Sequence, residues 1–156
     1  MTAQVDLRTR VQQARERFDA AAAGMDPDSL ESLEICGVWS ARDVAGHVAD
    51  WNDELLAAAE YGLGRTSEAP EPVEDGEAYN TSHAEARKGQ SWAEVKADLD
   101  ASFDRAEALL SDIEDDQLDN PATFPWGQDG RVGDMIAGAM HHVDEHVVDL
   151  ESNQAS

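Results

Sequence analysis

Apolar residues recur at helical spacing in four long stretches of this chain. Leu7, Val11, Ala14, Phe18 and Ala21 step by four and three, which predicts an amphipathic helix over 4–23 that Gly24 ends. Val44, His47, Val48, Trp51, Leu55 and Ala58 share one face of a second helix over 41–62, closed by Gly62 and Gly64. Ser40-Ala41-Arg42-Asp43 opens it with a capping-box pattern, Asp standing in for Glu. Ser91-Trp92-Ala93-Glu94 is a capping box ahead of a third strong helix, in which Trp92, Val95, Leu99, Phe103, Ala106, Leu110 and Ile113 keep the period. The last stretch, Arg131 to Glu151, carries Met135, Ala139, His142 and His146 on one stripe.

The intervening segments read differently. Asp26-Pro27-Asp28 predicts a short helical turn to about Ser32, with Pro27 at the first helical position, and residues 33–39 form a connection. Residues 64–75, rich in Pro, Glu and Gly, predict a surface crossover. Residues 76–88 form a weaker helical stretch with Tyr79, Asn80 and His83. Residues 115–130 contain Pro121, Pro125, Trp126, Gly127 and Gly130, and predict a loop. No segment reads as a convincing strand. The expectation is an all-α four-helix bundle forming a single domain over residues 1–156, with a long crossover and a short extra helix between helices 2 and 3.

Charge narrows the function classes. The formal net charge is −23, with 34 acidic residues against 11 basic ones. Such a surface repels phosphate backbones and anionic lipid, so neither a nucleic-acid partner nor a membrane partner is expected. No apolar run approaches a membrane span, and Met1 to Asp6 lacks the basic start and apolar core of a secretion signal. Cys36 is the single cysteine; it forms no intrachain disulfide, fits a cytoplasmic setting and reads as a small apolar filler ahead of Trp39.

Three of the five histidines lie within Met140 to His146. His142 and His146 are one turn apart, ~6 Å along the axis, a spacing that lets two imidazoles reach one metal ion. His141 is offset by about 100° and points elsewhere. His47 faces inward beside Trp51 on the second helix, and metal sites in bundles are built from inward side chains on facing helices. The alternative is a cluster of ordinary core histidines. Neutral imidazoles suit Zn, Ni, Cu or Fe(II), and three ligands leave a position open to substrate. Asp50 and Glu145, each a turn beyond a histidine, are candidates to orient an imidazole N–H or to take a proton, or are solvated carboxylates. Trp51 is expected in the core, Trp126 either at the site mouth or plugging the bundle end, Asn80 facing the cavity, and His83 in solvent.

The segment Trp39-Ser40-Ala41-Arg42-Asp43-Val44-Ala45-Gly46-His47-Val48-Ala49-Asp50-Trp51, with His142-Val143-Asp144-Glu145-His146 at the end of the chain, resembles the motifs of the DinB/YfiT-like superfamily in order and distance. Residues 79–99 are similar to the connector and third helix of one branch, so the resemblance covers about the whole chain. It implies an up-down-down-up helix order, a divalent metal (Zn or Ni) on His47, His142 and His146, and a homodimer. It also implies, as an expected activity, transfer of a low-molecular-weight thiol such as mycothiol or bacillithiol to an electrophilic small-molecule substrate. No second domain of the kind carried by the mycothiol-dependent isomerases is expected. Two other functions fit the same residues: a hydrolase that activates metal-bound water, and a protein that binds a metal or apolar ligand without turnover.

Overall fold

In the computed structural model, which describes residues 2–156, the four stripes fold as α1 (Ala3–Ala23), α2 (Ala41–Gly62), α4 (Trp92–Ser111) and α5 (Val132–Glu151). Met1, the first residue of the segment read above for a secretion signal, lies outside the described residues. The shorter α3 (Gly76–Ala86) sits within the crossover. Single 3-10 turns occupy Pro27–Ser29 and Asp115–Asp119. Among the described residues no helix is long and apolar enough to cross a membrane.

Local chemistry sets the helix starts. Ser40 Oγ accepts from the Asp43 N–H, and Asp43 Oδ2 accepts from the Ser40 N–H at 3.1 Å, a complete capping box. At α4 only half of the expected box forms: Ser91 Oγ accepts from the Glu94 N–H, while the Trp92 N–H donates to Glu31 Oε2 at 2.8 Å. A carboxylate from the first connection therefore caps α4.

Side-chain pairs give the helix directions. Arg10 meets Asp144 and Arg17 meets Glu151, so α1 and α5 run parallel. Arg15 reaches Asp104 while Lys96 reaches Asp19, so α1 and α4 run antiparallel. Arg42 donates to the Gln90 carbonyl ahead of α4 and Arg105 pairs with Glu60, so α2 and α4 run parallel. The bundle is all-α and up-down-down-up. Its core buries Phe18, Phe103, Leu56, Leu99, Leu110, Met135, Ile136 and Met140 completely. Asn52 is buried too, and its amide donates to Ser102 Oγ at 3.0 Å, tying α2 to α4.

One expectation needs correction. Residues 115–130 are not a plain loop: β1 (Pro121–Thr123) and β2 (Asp129–Arg131) form a two-stranded antiparallel ribbon leading into α5. It rests on α2 at Gly62, where a Cβ would fall 2.9 Å from the Pro121 carbonyl and 3.0 Å from both Ala122 Cβ and Val132 Cγ2. The missing side chain permits that approach. At the ribbon tip, Gly127 adopts φ +97, the Phe124 N–H donates to the Gln128 carbonyl, and the Gly127 N–H donates to the Phe124 carbonyl. This turn projects Phe124 and Trp126 toward the histidines.

Candidate metal centre

Helix α2 supplies His47 and α5 supplies His142 and His146. Because α5 runs antiparallel to α2 and carries its pair one turn apart, a single ring from α2 can lie between them. The three ring centroids are 4.8, 4.8 and 4.7 Å apart, each pair close to perpendicular. One ligating atom from each residue lies within 4.8 Å of the other two. His47 Nε2 and His142 Nε2 are 3.0 Å apart. Trp39 packs on the far side of His47 at 4.8 Å.

The electrostatics keep two of these rings neutral. Burial, and then the neighbouring His142 and His146, lowers His47 to about 3. Burial, and then His146 and His141, lowers His142 to about 4. Neutral imidazoles are the form that ligates a metal. His142 Nδ1 is buried without a hydrogen-bond partner. His146 Nδ1 lies 3.1 Å from Asp149 Oδ2, a contact that fixes the N–H on Nδ1 and leaves the Nε2 lone pair for a cation. Three convergent nitrogen donors, two on neutral buried rings and one aligned by a carboxylate, fit a divalent transition metal. The donor set does not distinguish Zn from Ni.

Asp50 and Glu145 lie elsewhere. Asp50 takes a two-point contact from Arg87, Nη2 to Oδ1 at 2.8 Å and Nε to Oδ2 at 3.3 Å, with His83 Nδ1 at 3.5 Å. Arg87 crosses Gly46, where a Cβ would fall 2.6 Å from its Cδ, and goes on to Asp98. Asp50 thus pins α3 to α2 rather than orienting His47. Glu145 is 57% exposed and faces His141 Nε2 at 2.9 Å, not His142. Asp149, which helical spacing alone did not single out, is the carboxylate on an imidazole. It stands three residues after His146, the same offset that suggested Asp50 and Glu145. Cys36 is more than a filler: its Sγ, a His146 nitrogen and an Asp149 oxygen lie within 4.8 Å of one another. Burial, followed by Asp149, raises its thiol above the ordinary range.

An open cleft of about 490 Å³ adjoins the imidazoles. Trp51 lines it instead of filling the core, and its indole N–H donates to Asn80 Oδ1 at 2.7 Å. Trp126 stands at the mouth, 53% exposed and stacked on Phe124 at 4.8 Å. His83 is only partly in solvent, stacked on Tyr79 at 3.9 Å. Phe124 went unnoticed in the sequence because its place depends on the ribbon.

The same bundle occurs in proteins of known structure. It resembles the crystal structure of a mycothiol-dependent maleylpyruvate isomerase, with a TM-score of 0.79 at 14% identity over 96% of this chain and 63% of that one. The chain thus spans less than two thirds of the isomerase's length. It also resembles an uncharacterised protein from Escherichia coli UTI89, with a TM-score of 0.80 at 15% identity over 98% of this chain and 93% of that one. At these identities the likeness establishes the fold. No functionally curated protein matches. The sequence model of the DinB superfamily matches residues 10–148, from within α1 to within α5. The chain belongs to the DinB superfamily.

Proposed function

We propose that this protein is a metal-dependent enzyme that holds one divalent transition metal, Zn or Ni, on His47, His142 and His146, and transfers a low-molecular-weight thiol to an electrophilic small molecule. One observation carries the proposal: imidazoles from two helices converge beside an open cleft, with His47 Nε2 and His142 Nε2 3.0 Å apart. The thiol class is suggested by the fold shared with an enzyme whose name records mycothiol dependence. A metal held there would lower the pKa of a thiol that reaches it, giving a nucleophile near neutral pH.

The chain's own residues do the rest. Asp149 aligns His146. Burial keeps His47 and His142 neutral and available. Trp51, held by Asn80, and Trp126, stacked on Phe124, form walls against which the electrophile lies and which displace water from it. Thiol transfer fits these residues better than hydrolysis. A thiol ionises readily without a dedicated base, whereas of the two expected carboxylates Asp50 is tied to Arg87 and Glu145 to His141. A single domain over residues 1–156, a cytoplasmic setting and a homodimer belong to the same proposal.

The test is turnover of an electrophile such as a chlorodinitrobenzene with several thiols, by metal-loaded and metal-stripped protein. Thiol transfer that needs the metal supports the assignment. Metal-loaded protein that transfers none of the thiols contradicts it, and turnover that needs no thiol moves the assignment to hydrolysis.

A further inference from the structure

The cleft beside the imidazoles has a charge character of its own. Its apolar walls are Trp51, Leu55, Phe124 and Trp126, and among the described residues no Lys or Arg lines it. Among the described residues its one carboxylate is Glu145, at the edge, 57% exposed and facing the His141 ring, which also lines the cleft, at 2.9 Å. The two grooves behind the ribbon tip and along the crossover are lined by Glu54 and Glu71, again with no Lys or Arg among the described residues. Arg87, on the far side of His47, is already held between Asp50 and Asp98. The chain as a whole carries −23.

An anion entering this cleft would lose hydration against aromatic walls, meet no Lys or Arg, find the exposed His141 at the edge already facing the Glu145 carboxylate, and approach a negative surface. The faces of the indoles and of Phe124 are themselves the negative side of their quadrupoles, which favours neutral rings stacked on them and cations set over them. A metal on the three imidazoles would offset this only at the floor of the cleft, where a single anionic donor such as a thiolate is accommodated. Trp51 and Trp126, 6.3 Å apart between centroids and tilted 57° to one another, line the same cleft as His47 and His142 and offer their faces to the remainder of the molecule.

We infer that the outer cleft selects flat, largely apolar molecules without negative charge, uncharged or ammonium-bearing aromatics, and rejects their anionic counterparts. This substrate class rests on the cleft being where the electrophile sits, as proposed above. It sets the protein apart from enzymes whose substrates are dicarboxylates, which call for basic side chains in the cleft.

Three naphthalene compounds of near-equal size test the inference: the methanol, the methyl-trimethylammonium and the sulfonate, the last chosen because it is a poor metal ligand. Binding to the protein as purified is measured by calorimetry, with the indole N–H resonances of Trp51 and Trp126 followed to locate the ligand. The alcohol and the ammonium are expected to bind, and the sulfonate to be weaker by at least about tenfold. Glu145→Gln should narrow that gap, and Trp126→Ala, at an exposed position, should weaken both ligands that bind. A sulfonate that binds within tenfold of the alcohol, or binding of none of the three, overturns the inference. Neither metal content nor thiol turnover is read in these measurements, so failure of the charge preference is distinguishable from failure of the enzymatic assignment.

Discussion

Acidification should destabilise the metal-free protein, and the size of the effect follows from two rings. His47 is lowered from 6.5 to about 3 and His142 from 6.5 to about 4, in each case chiefly by burial. Both are neutral in the folded chain at pH 5, whereas in the unfolded chain both have taken up a proton. The unfolded state therefore binds more protons, and stability rises with pH across this window. It is intact above the unfolded value near 6.5, falls as the pH drops below it, and stops falling only below the folded values. At pH 5 each ring contributes a loss of about 2 kcal/mol relative to pH 8, or about 4 kcal/mol together. That figure depends mainly on the unfolded value, because both folded values lie below 5. The measurement is urea unfolding of chelator-treated protein at pH 8, 6.5 and 5, beside the double substitution His47→Gln with His142→Gln. Subtracting the doubly substituted protein removes the acidic residues and the other histidines from the comparison. The difference in stability loss between the two proteins from pH 8 to pH 5 is the quantity that decides. A difference of no more than about 1 kcal/mol would show that these rings are not buried neutral, and the packing described for them would be wrong.

Other substitutions separate site from scaffold. Asp149→Asn should leave the fold intact and weaken metal binding by roughly 10- to 100-fold, measured by competition with a chromophoric chelator; unchanged affinity would remove Asp149 from the site. Arg87→Ala should destabilise the bundle by about 2 kcal/mol, since it strips Asp50 of its two-point partner, yet leave metal content unaltered. Metal loss in that variant would put Asp50 back among the groups that act on the imidazoles. Gly62→Ala should cost about 1–3 kcal/mol in urea unfolding, because the new Cβ meets the Pro121 carbonyl and two side chains across the ribbon. A neutral effect would mean that the ribbon is not seated there.

What the sequence disclosed divides along a physical line. Helix stripes are local patterns, and the one running through Val44, Val48, Leu55 and Ala58 lies buried as read. The Ser40 cap is equally local, and α2 starts where it predicts. That His47 could meet a pair one turn apart on α5 was legible too, because inward faces of facing helices must converge. Partners that depend on a third element were not. Spacing alone places Asp50 near His47 along its own helix, but Arg87 arrives from the end of α3 and claims it. Asp149 and Glu145 stand at the same offset from different histidines, and spacing does not tell that Asp149 turns to His146 while Glu145 turns out to the exposed His141. The ribbon was invisible because three-residue strands, one opened by a proline and the other centred on a glycine, carry no alternation. It packs against Gly62, far earlier in the chain. With the ribbon went Phe124 and its stack on Trp126, the part of the cleft wall that faces Trp51.

Metal analysis of freshly purified protein beside His47→Ala and His142→Ala, each checked for helicity, tests the three-imidazole centre most directly. The parent should carry close to one divalent transition metal per chain, and both folded variants should lose most of it. A parent that carries and binds no such metal, or variants that retain it in full, would contradict such a centre.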